Sequence, residues 1–506
     1  MFQFPIPSLD MPAVMPMLLV ALTGLVALLI EMFSPKRNNN LIVVASILGL
    51  GLALVALIAG YGPNAYTTMG DTVTRDPLGA ALQTILVVGT MLIILVSEPY
   101  LREKRIPFAE FYPLVLWSTT GGMLMVGTNH LLLIFLGLEI LSIAIYVMAG
   151  MSRGEARSGE SALKYFLLGS FASSFLLYGI AMVYGATGSL QLDMVMPAWI
   201  HHAGLARPLL LIGLGMMLVG LSFKCSFAPF HQWTPDVYQG APTNVTAFMA
   251  TASKVAAFGA LWRILEAFHI AFDLWAPVVG GLAVLTMIVG NLAALGQRDV
   301  KRIFGYSSVA QAGYVLVAII AHAKRPDIVT AQAFIFFLIS YVLTTIGAFA
   351  VLMLNARNGE EPTTLDDLRG LSRRSPLAAG ALAFFALSLI GLPPLGGFVG
   401  KFLILGDALR SGMPSLAIVL GLTSAVSVVY YLRLARAPFA GDEATTAPAP
   451  VATALRGSIV LCGVGVLAIV FFAAPLFNAM SLGTDQQPRI VISRDGKVAD
   501  PATITR

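Results

Sequence analysis

Two lysines, Lys224 and Lys254, stand thirty residues apart in otherwise apolar sequence, within the stretch from Leu205 to Glu266. Between them Pro229, Pro235, Gly240 and Pro242 interrupt any continuous helix. A charged side chain at the centre of a bilayer costs roughly 2.5–3.5 kcal/mol on insertion scales. Such a charge persists where it meets a partner charge, a wet cavity or an ion pathway.

Composition makes the bilayer the relevant solvent. Of 506 residues, 57% are hydrophobic and 11% charged, with a mean hydropathy of +0.83. Soluble domains carry about 25% charged residues, so the chain is read as an all-α polytopic membrane protein. The net charge of +5 comes mostly from Lys and Arg in short loops between apolar runs. That distribution follows the positive-inside pattern and excludes a nucleic-acid patch. Cys225 and Cys462 both lie in apolar sequence, which gives no disulfide framework or metal cluster. The start, MFQFPIPSLDMP, has no basic n-region, so the first apolar run is expected to remain as a helix.

At about twenty apolar residues per crossing, the chain holds about fourteen transmembrane helices. They are placed at 11–33, 41–60, 77–98, 107–126, 129–150, 161–186, 207–227 with a broken extension to 240, 243–265, 274–295, 302–322, 329–355, 377–410 with a break, 414–436 and 453–475. One alternating set of loops is rich in cations: Lys36 and Arg37; Arg102, Lys104 and Arg105; Arg153 and Arg157; Arg298, Lys301 and Arg302; Arg357, Arg369, Arg373 and Arg374; Arg433, Arg436 and Arg456. The other set holds only Arg75, Arg207, Lys324, Arg325 and Arg410. The rich loops are therefore expected in the cytoplasm and both termini on the opposite side. ATTAPAPVATA (444–454) reads as a loop, and the polar tail from Met480 as extended and exposed.

A weak internal repeat follows. SFKCSFAPFHQWTPDVYQGAP interrupts the fourth crossing of one set of five, and SLIGLPPLGGFVGKF the fourth of the next. Five is odd, so the second set must enter from the other side, giving two inverted five-helix repeats, each containing a broken helix. Interrupted segments at matching places in two halves point to a transport site, because freed backbone groups are tolerable only inside protein or beside water. The expected division is 1–105 for three N-terminal helices, 106–266 and 273–436 for the two repeats, 453–475 for a last helix and 476–506 for the tail.

The buried charges carry the functional reading. Glu139 lies ten residues into its helix, about 15 Å deep at 1.5 Å per residue, near the bilayer centre. A structural ion pair is the bland reading for it; an intramembrane acid is a functional candidate by default. Lys224 stands at a proline-marked break, which favours a cavity over snorkelling to the interface. Lys254 is too deep to snorkel easily, and its nearest polar neighbours in sequence are Thr246, Thr251 and Ser253. Lys401 follows the second break, where a helix N-terminus would disfavour a cation, so a nearby acid or water is expected. Glu160 and Lys164 have the i,i+4 spacing of an ordinary helix pair. His231, Asp236, Glu266, Asp299 and Lys301 fall near interfaces and read as structural. Tyr430 and Tyr431 fit either the exit of a relay or an aromatic belt. Burial disfavours a charged amine and a nearby carboxylate favours it, so moving a Glu relative to a Lys changes how tightly the lysine holds its proton. A row of such lysines joined by hydroxyls is chemically sufficient as a proton relay.

The chain has no GxGxxG after a strand, no Walker A loop, no CxxC pair and no haem histidine pair. Energy must come from an ion gradient or from partner subunits. At these residues the sequence resembles the antiporter-like proton-channel subunits of bacterial respiratory NADH:quinone oxidoreductase (complex I). PFHQWTPDVYQGAPTNVTAFMATASKVAAF (229–258) has the wording of the N subunits rather than the L or M subunits. DVKRIFGYSSVAQAGY (299–314) and GLPPLGGFVGKFLIL (391–405) match two further motifs of that family. The M subunit usually has Glu where this chain has Lys401, and the long lateral helix of the L subunit is absent. The resemblance covers residues 11 to 475.

The resemblance implies that Glu139 modulates Lys224, that Lys254 is the central relay lysine, that Lys401 lies near the proton exit, and that Glu160 and Lys164 are influential. It implies an enzyme subunit of the inner membrane with no redox centre of its own. NADH, FMN, iron–sulfur clusters and quinone would belong to partner subunits, and the other membrane-arm subunits would be its partners. The alternative is a D-type subunit of a multisubunit Na⁺/H⁺ antiporter, which shares the fold and the lysines. A scaffold conducting no ion is disfavoured by four deep charges beside two broken helices.

Overall fold

The computed structural model describes residues 10–33, 40–60, 65–104, 106, 109–201, 204–326, 328–356, 361–441, 453–474 and 477. Lys36, Arg37, Arg105, Arg357, most of the 444–454 loop, the tail from Met480 and both termini lie outside the described residues.

The chain opens with helices α1 (Met11–Phe33) and α2 (Asn40–Ala59), followed by a hairpin of β1 (Tyr66–Thr68) and β2 (Val73–Arg75). Then come α3 (Pro77–Glu103), α4 (Phe111–Val126), α5 (Leu131–Ala149), α6 (Ala156–Thr187) and the short α7 (Val195–His201). The first break lies between α8 (Ala206–Cys225) and α9 (Trp233–Gly240); α10 (Thr243–Ala250) and α11 (Ala252–Ala267) follow. The rest is α12 (Phe272–Leu295), α13 (Val300–Lys324), α14 (Ile328–Leu354), α15 (Leu371–Arg374), α16 (Pro376–Ile390), α17 (Gly396–Arg410), α18 (Pro414–Arg436) and α19 (Thr453–Phe471).

Among the described residues, twelve helical spans are long and apolar enough to cross a membrane; α4 and α16 are shorter apolar helices. The span made by α10 and α11 is wholly buried, and α13 and α14 nearly so. Around them, α2 turns Leu41, Val44, Leu48, Leu52, Val55 and Ile58 outward. That spacing of three or four puts one apolar stripe on the outside, which suits hydrocarbon rather than water.

Two expectations need correction. The chain is not all-α: β1 and β2 pair antiparallel, with Tyr66 opposite Arg75. The turn uses positive φ at Met69, Gly70 and Asp71. Edge groups of the hairpin are taken up by the body of the protein, Thr74 N–H donating to Gly127 O at 2.9 Å and Gln191 Nε2 to Asp71 O at 2.8 Å. The crossing expected at 243–265 is also not one helix. Thr251 adopts φ −117°, ψ −86°, which separates α10 from α11 three residues before Lys254. No Pro or Gly marks that site; the Thr251 hydroxyl instead donates to Ala247 O at 2.6 Å.

Candidate functional site

The two breaks form where the sequence withholds a helical backbone. At the end of α8, Ser226 takes a left-handed conformation (φ 65°, ψ 39°), and Pro229 lacks the N–H to continue. The Phe223 carbonyl released there accepts the Trp233 indole N–H at 2.9 Å, and the Ala228 N–H donates to Thr286 at 3.0 Å. At the end of α16, Gly391 (φ 93°) turns the chain and Pro393 and Pro394 follow. Gly397 packs so closely on the end of α16 that a Cβ there would lie 1.8 Å from Ser388 O.

Lys224, one residue before the end of α8, is 3% exposed. Its ammonium donates to Ser142 Oγ of α5 at 2.9 Å and Tyr165 OH of α6 at 2.8 Å. The Tyr165 and Tyr146 rings lie 5.0 and 5.8 Å from the nitrogen. Glu139 sits one turn before Ser142 on α5, half-buried beside the outward-facing Leu136, Ile140 and Ile143. It makes no ion pair with Lys224; its Oε1 is buried without a hydrogen-bond partner, within electrostatic range of the lysine.

Lys254 is 1% exposed. It donates to the carbonyl and the hydroxyl of Ser308 on α13, at 2.9 and 3.0 Å. Lys401, 7% exposed, reaches back across the second break. Its nitrogen donates to Leu389 O at 2.8 Å, Ile390 O at 3.0 Å and Ser424 Oγ at 3.1 Å, so all three N–H groups are met. Of the acid or water expected beside Lys401, no acid pairs with it among the described residues; the carbonyl end of α16, whose dipole favours a cation, meets it instead.

Further side chains join these lysines, of which Tyr165, Ser307, Ser308 and Gln311 were not candidates from the sequence. The Tyr165 hydroxyl faces Ser253, the neighbour of Lys254. Ser307, next to Ser308, hydrogen-bonds Tyr431, which accepts from Gln311 Nε2 at 3.2 Å. Gln311 also donates to Leu389 O at 3.3 Å, the carbonyl that holds Lys401. Ser307, Ser308 and Gln311 lie within four residues on α13, a signal of spacing that the sequence offers once Lys254 is placed against them. Tyr430 and Tyr431 are both fully buried rather than in a belt; Tyr430 donates to Asn291 at 3.0 Å.

Glu160 and Lys164 form the expected pair at 2.6 Å. Lys164 also meets Asp236 of α9 at 3.1 Å, and Asp236 meets Arg302 of α13 at 2.6 Å. These side chains are partly exposed, which screens them. Two deeper clusters had no sequence signal. Arg263 of α11 grips the N-cap Asp76 of α3 in two-pronged fashion at 2.7 and 3.0 Å and donates to Val126 O. Glu361, before α15, accepts from Tyr100 and from Thr243 and pairs with Lys301 at 3.5 Å and Lys104 at 3.8 Å. Burial alone would push the Glu361 carboxyl up; Lys301, the two hydroxyls and Lys104 outweigh it and hold the group below the usual glutamate value. Among the described residues no three His, Cys, Asp or Glu side chains are grouped to hold a metal ion.

The arrangement sets amines, hydroxyls and a carboxamide within hydrogen-bond reach of one another inside a buried core. Known proteins place it in a family. The profile described as NADH:quinone oxidoreductase/Mrp antiporter, TM, matches residues 128–427. The NADH-quinone oxidoreductase subunit N of Trichlorobacter lovleyi is 39% identical over 428 residues, 84% of this chain and 87% of that one. A chain of respiratory complex I from Thermus thermophilus with bound aureothin superimposes with a TM-score of 0.79 at 38% identity, over 92% of this chain and 100% of that one. A chain of the Mrp complex from Dietzia sp. reaches a TM-score of 0.80 at 21% identity, covering 94% of this chain and 97% of its own length; it shares the fold. By sequence identity along most of its length, the chain belongs to the subunit N family of NADH-quinone oxidoreductases, within the antiporter-like membrane proteins.

Proposed function

We propose that this chain is a proton-translocating membrane-arm subunit of a bacterial NADH:quinone oxidoreductase. NADH, FMN, iron–sulfur clusters and quinone are handled by partner subunits, and this chain contributes no redox centre. The observation that carries the reading is the polar line through the buried core, from Glu139 past Lys224 and Tyr165 to Lys254, and on through Ser308, Ser307, Tyr431 and Gln311 to Lys401. Lys224 and Lys254 are each held by hydroxyls on neighbouring helices, so small helix shifts change what each ammonium meets. Quinone chemistry elsewhere in the complex moves Glu139 or its surroundings. The field at Lys224 then changes, and the proton passes along the line.

In this reading the twelve long spans together with α4 and the broken α16–α17 make fourteen crossings. The units 106–266 and 273–436 are inverted repeats, supported by a break beside a lysine in each. The chain sits in the inner membrane with its cation-rich loops in the cytoplasm and its termini outside. Glu160 and Lys164 lie at the cytoplasmic edge, tied to α9 through Asp236.

The test uses the assembled complex in proteoliposomes. Lys254→Ala is expected to lower protons moved per NADH, or to slow NADH oxidation in step with pumping. Native pumping at native turnover would overturn the reading. Sodium-driven proton flux without any NADH:quinone activity in the purified assembly would instead make the chain an antiporter subunit.

A further inference from the structure

Resting on that reading, the structure bears on where Lys254 obtains its proton. A cleft of about 660 Å³ opens on the face that carries the cation-rich loops, lined among others by Lys104, Glu155, Gln239, Lys301 and Glu361. Its polar walls and size suit water. At its floor the side chains of Lys104, Lys301 and Glu361 are each under a tenth exposed. Lys301 donates to Ala241 O at 2.9 Å and to Thr243 Oγ1 at 3.3 Å, besides its pairing with Glu361.

Lys301 and Ser308 lie seven residues apart on α13, two turns along one helix face. The segment of α9 and the residue after it run beside that face. Ala241 takes Lys301 at one end, and Tyr238 faces Ser308 at the other. The approach is close, since a Cβ at Gly305 would lie 3.0 Å from Pro235 Cα. The Tyr238 hydroxyl is fully buried and lies beside the Ser308 hydroxyl, with no other hydrogen-bond partner among the described residues.

We propose that Lys301, with Glu361 as its fixed counter-charge, loads Lys254 with protons from the cleft, with the Tyr238 hydroxyl as the step between. Water reaching in from the cleft takes an Nζ–H proton from Lys301 and gives one to the Tyr238 oxygen, while Tyr238 gives its own proton to the Ser308 hydroxyl. Ser308 in turn protonates the neutral amine of Lys254, and water in the cleft restores the proton on Lys301. Glu361 is a positioning residue: it stays ionised and holds Lys301 at the floor.

Lys301→Arg separates this role from a structural strut. Arginine keeps the pairing with Glu361 but does not release its proton. In proteoliposomes containing the assembled complex, Lys301→Arg is expected to lower NADH-driven proton flux at least about twofold. Native flux and turnover in Lys301→Arg would overturn the proposal. Where Lys301→Arg fails to assemble, Tyr238→Phe decides, since it removes only the hydroxyl of the proposed step; a fall of at least about twofold supports the step and native flux overturns it. Lys254→Ala is measured alongside. Native flux in Lys254→Ala overturns the relay reading itself. Reduced flux there with native flux in both Lys301→Arg and Tyr238→Phe overturns the loading step alone.

Discussion

Two proline-marked breaks in this chain stand beside a lysine, and the two accommodate that lysine in different ways. Lys224 precedes its break and is held by the hydroxyls of Ser142 and Tyr165, which belong to α5 and α6. Lys401 follows its break and is held mainly by Leu389 O and Ile390 O, carbonyls that the break itself releases. Neighbouring helices build the first environment, while the local chain builds most of the second. The first lysine can therefore be retuned by moving α5, the helix that also carries Glu139. The second responds to changes in its own backbone.

The strongest test of this contrast removes the amines. Lys224→Ala and Lys401→Ala should each cut proton flux in the assembled complex by about tenfold or more, about 1.4 kcal/mol in the barrier. A large loss in only one of them would mean that the two breaks do not serve one path. Next in size is a methyl group at Gly397, in the second break, and at Gly240, the last residue of α9 beyond the first. Gly397→Ala must push the backbone carbonyl of Ser388 away from 1.8 Å. Gly240→Ala meets the rotatable Ser161 hydroxyl at 2.1 Å and Arg157 O at 2.5 Å. Overpacking costs about 1–3 kcal/mol, and Gly397→Ala should lie at the upper end, read as the larger drop in thermal unfolding temperature. Equal drops would remove the claim that the second environment is made by its backbone.

Single hydroxyls come next. Tyr165→Phe takes one of two acceptors from Lys224, a loss of about 1–3 kcal/mol for a charged buried group. Ser424→Ala leaves Lys401 its two carbonyls and should cost about 0.5–1.5 kcal/mol. Flux measured in the two variants ranks them; the reverse order would invert the comparison. Smallest is Lys164→Ala. Its pairs with Glu160 and Asp236 are partly exposed, so unfolding should change by about 1 kcal/mol or less, and a larger shift would show that Asp236 ties α6 to α9 more firmly than its exposure indicates.

The breaks and their lysines were legible in the sequence because Pro229, Pro235, Pro393 and Pro394 forbid a continuous helix and a lysine in apolar sequence has few bland explanations. The kink at Thr251 was not, since a threonine in an apolar run reads as helix unless its partners across the fold are known. The partner of Lys254 was hidden for the same reason: Ser308 lies fifty-four residues away, and nothing near Lys254 in sequence points to it. The partners of Lys401 were hidden because the sequence around it shows the N-terminus of α17 and not the C-terminus of α16 facing it. Lys301 and Asp236 looked like loop-edge charges, and only packing shows Lys301 at a buried floor and Asp236 shared by two cations. The hairpin at 66–75 leaves no mark in the sequence, its strands being only three residues each.

The grip of Arg263 on Asp76 sets a lower limit to what can be cut from this protein. The two residues are 187 positions apart, and Asp76 lies ahead of the segment 128–427 that defines the family. A chain trimmed to that segment would keep the guanidinium and lose its carboxylate. Removing one partner of a buried ion pair costs about 3–5 kcal/mol. Any minimal version must therefore either begin before Asp76 or replace Arg263 with an uncharged side chain of similar bulk.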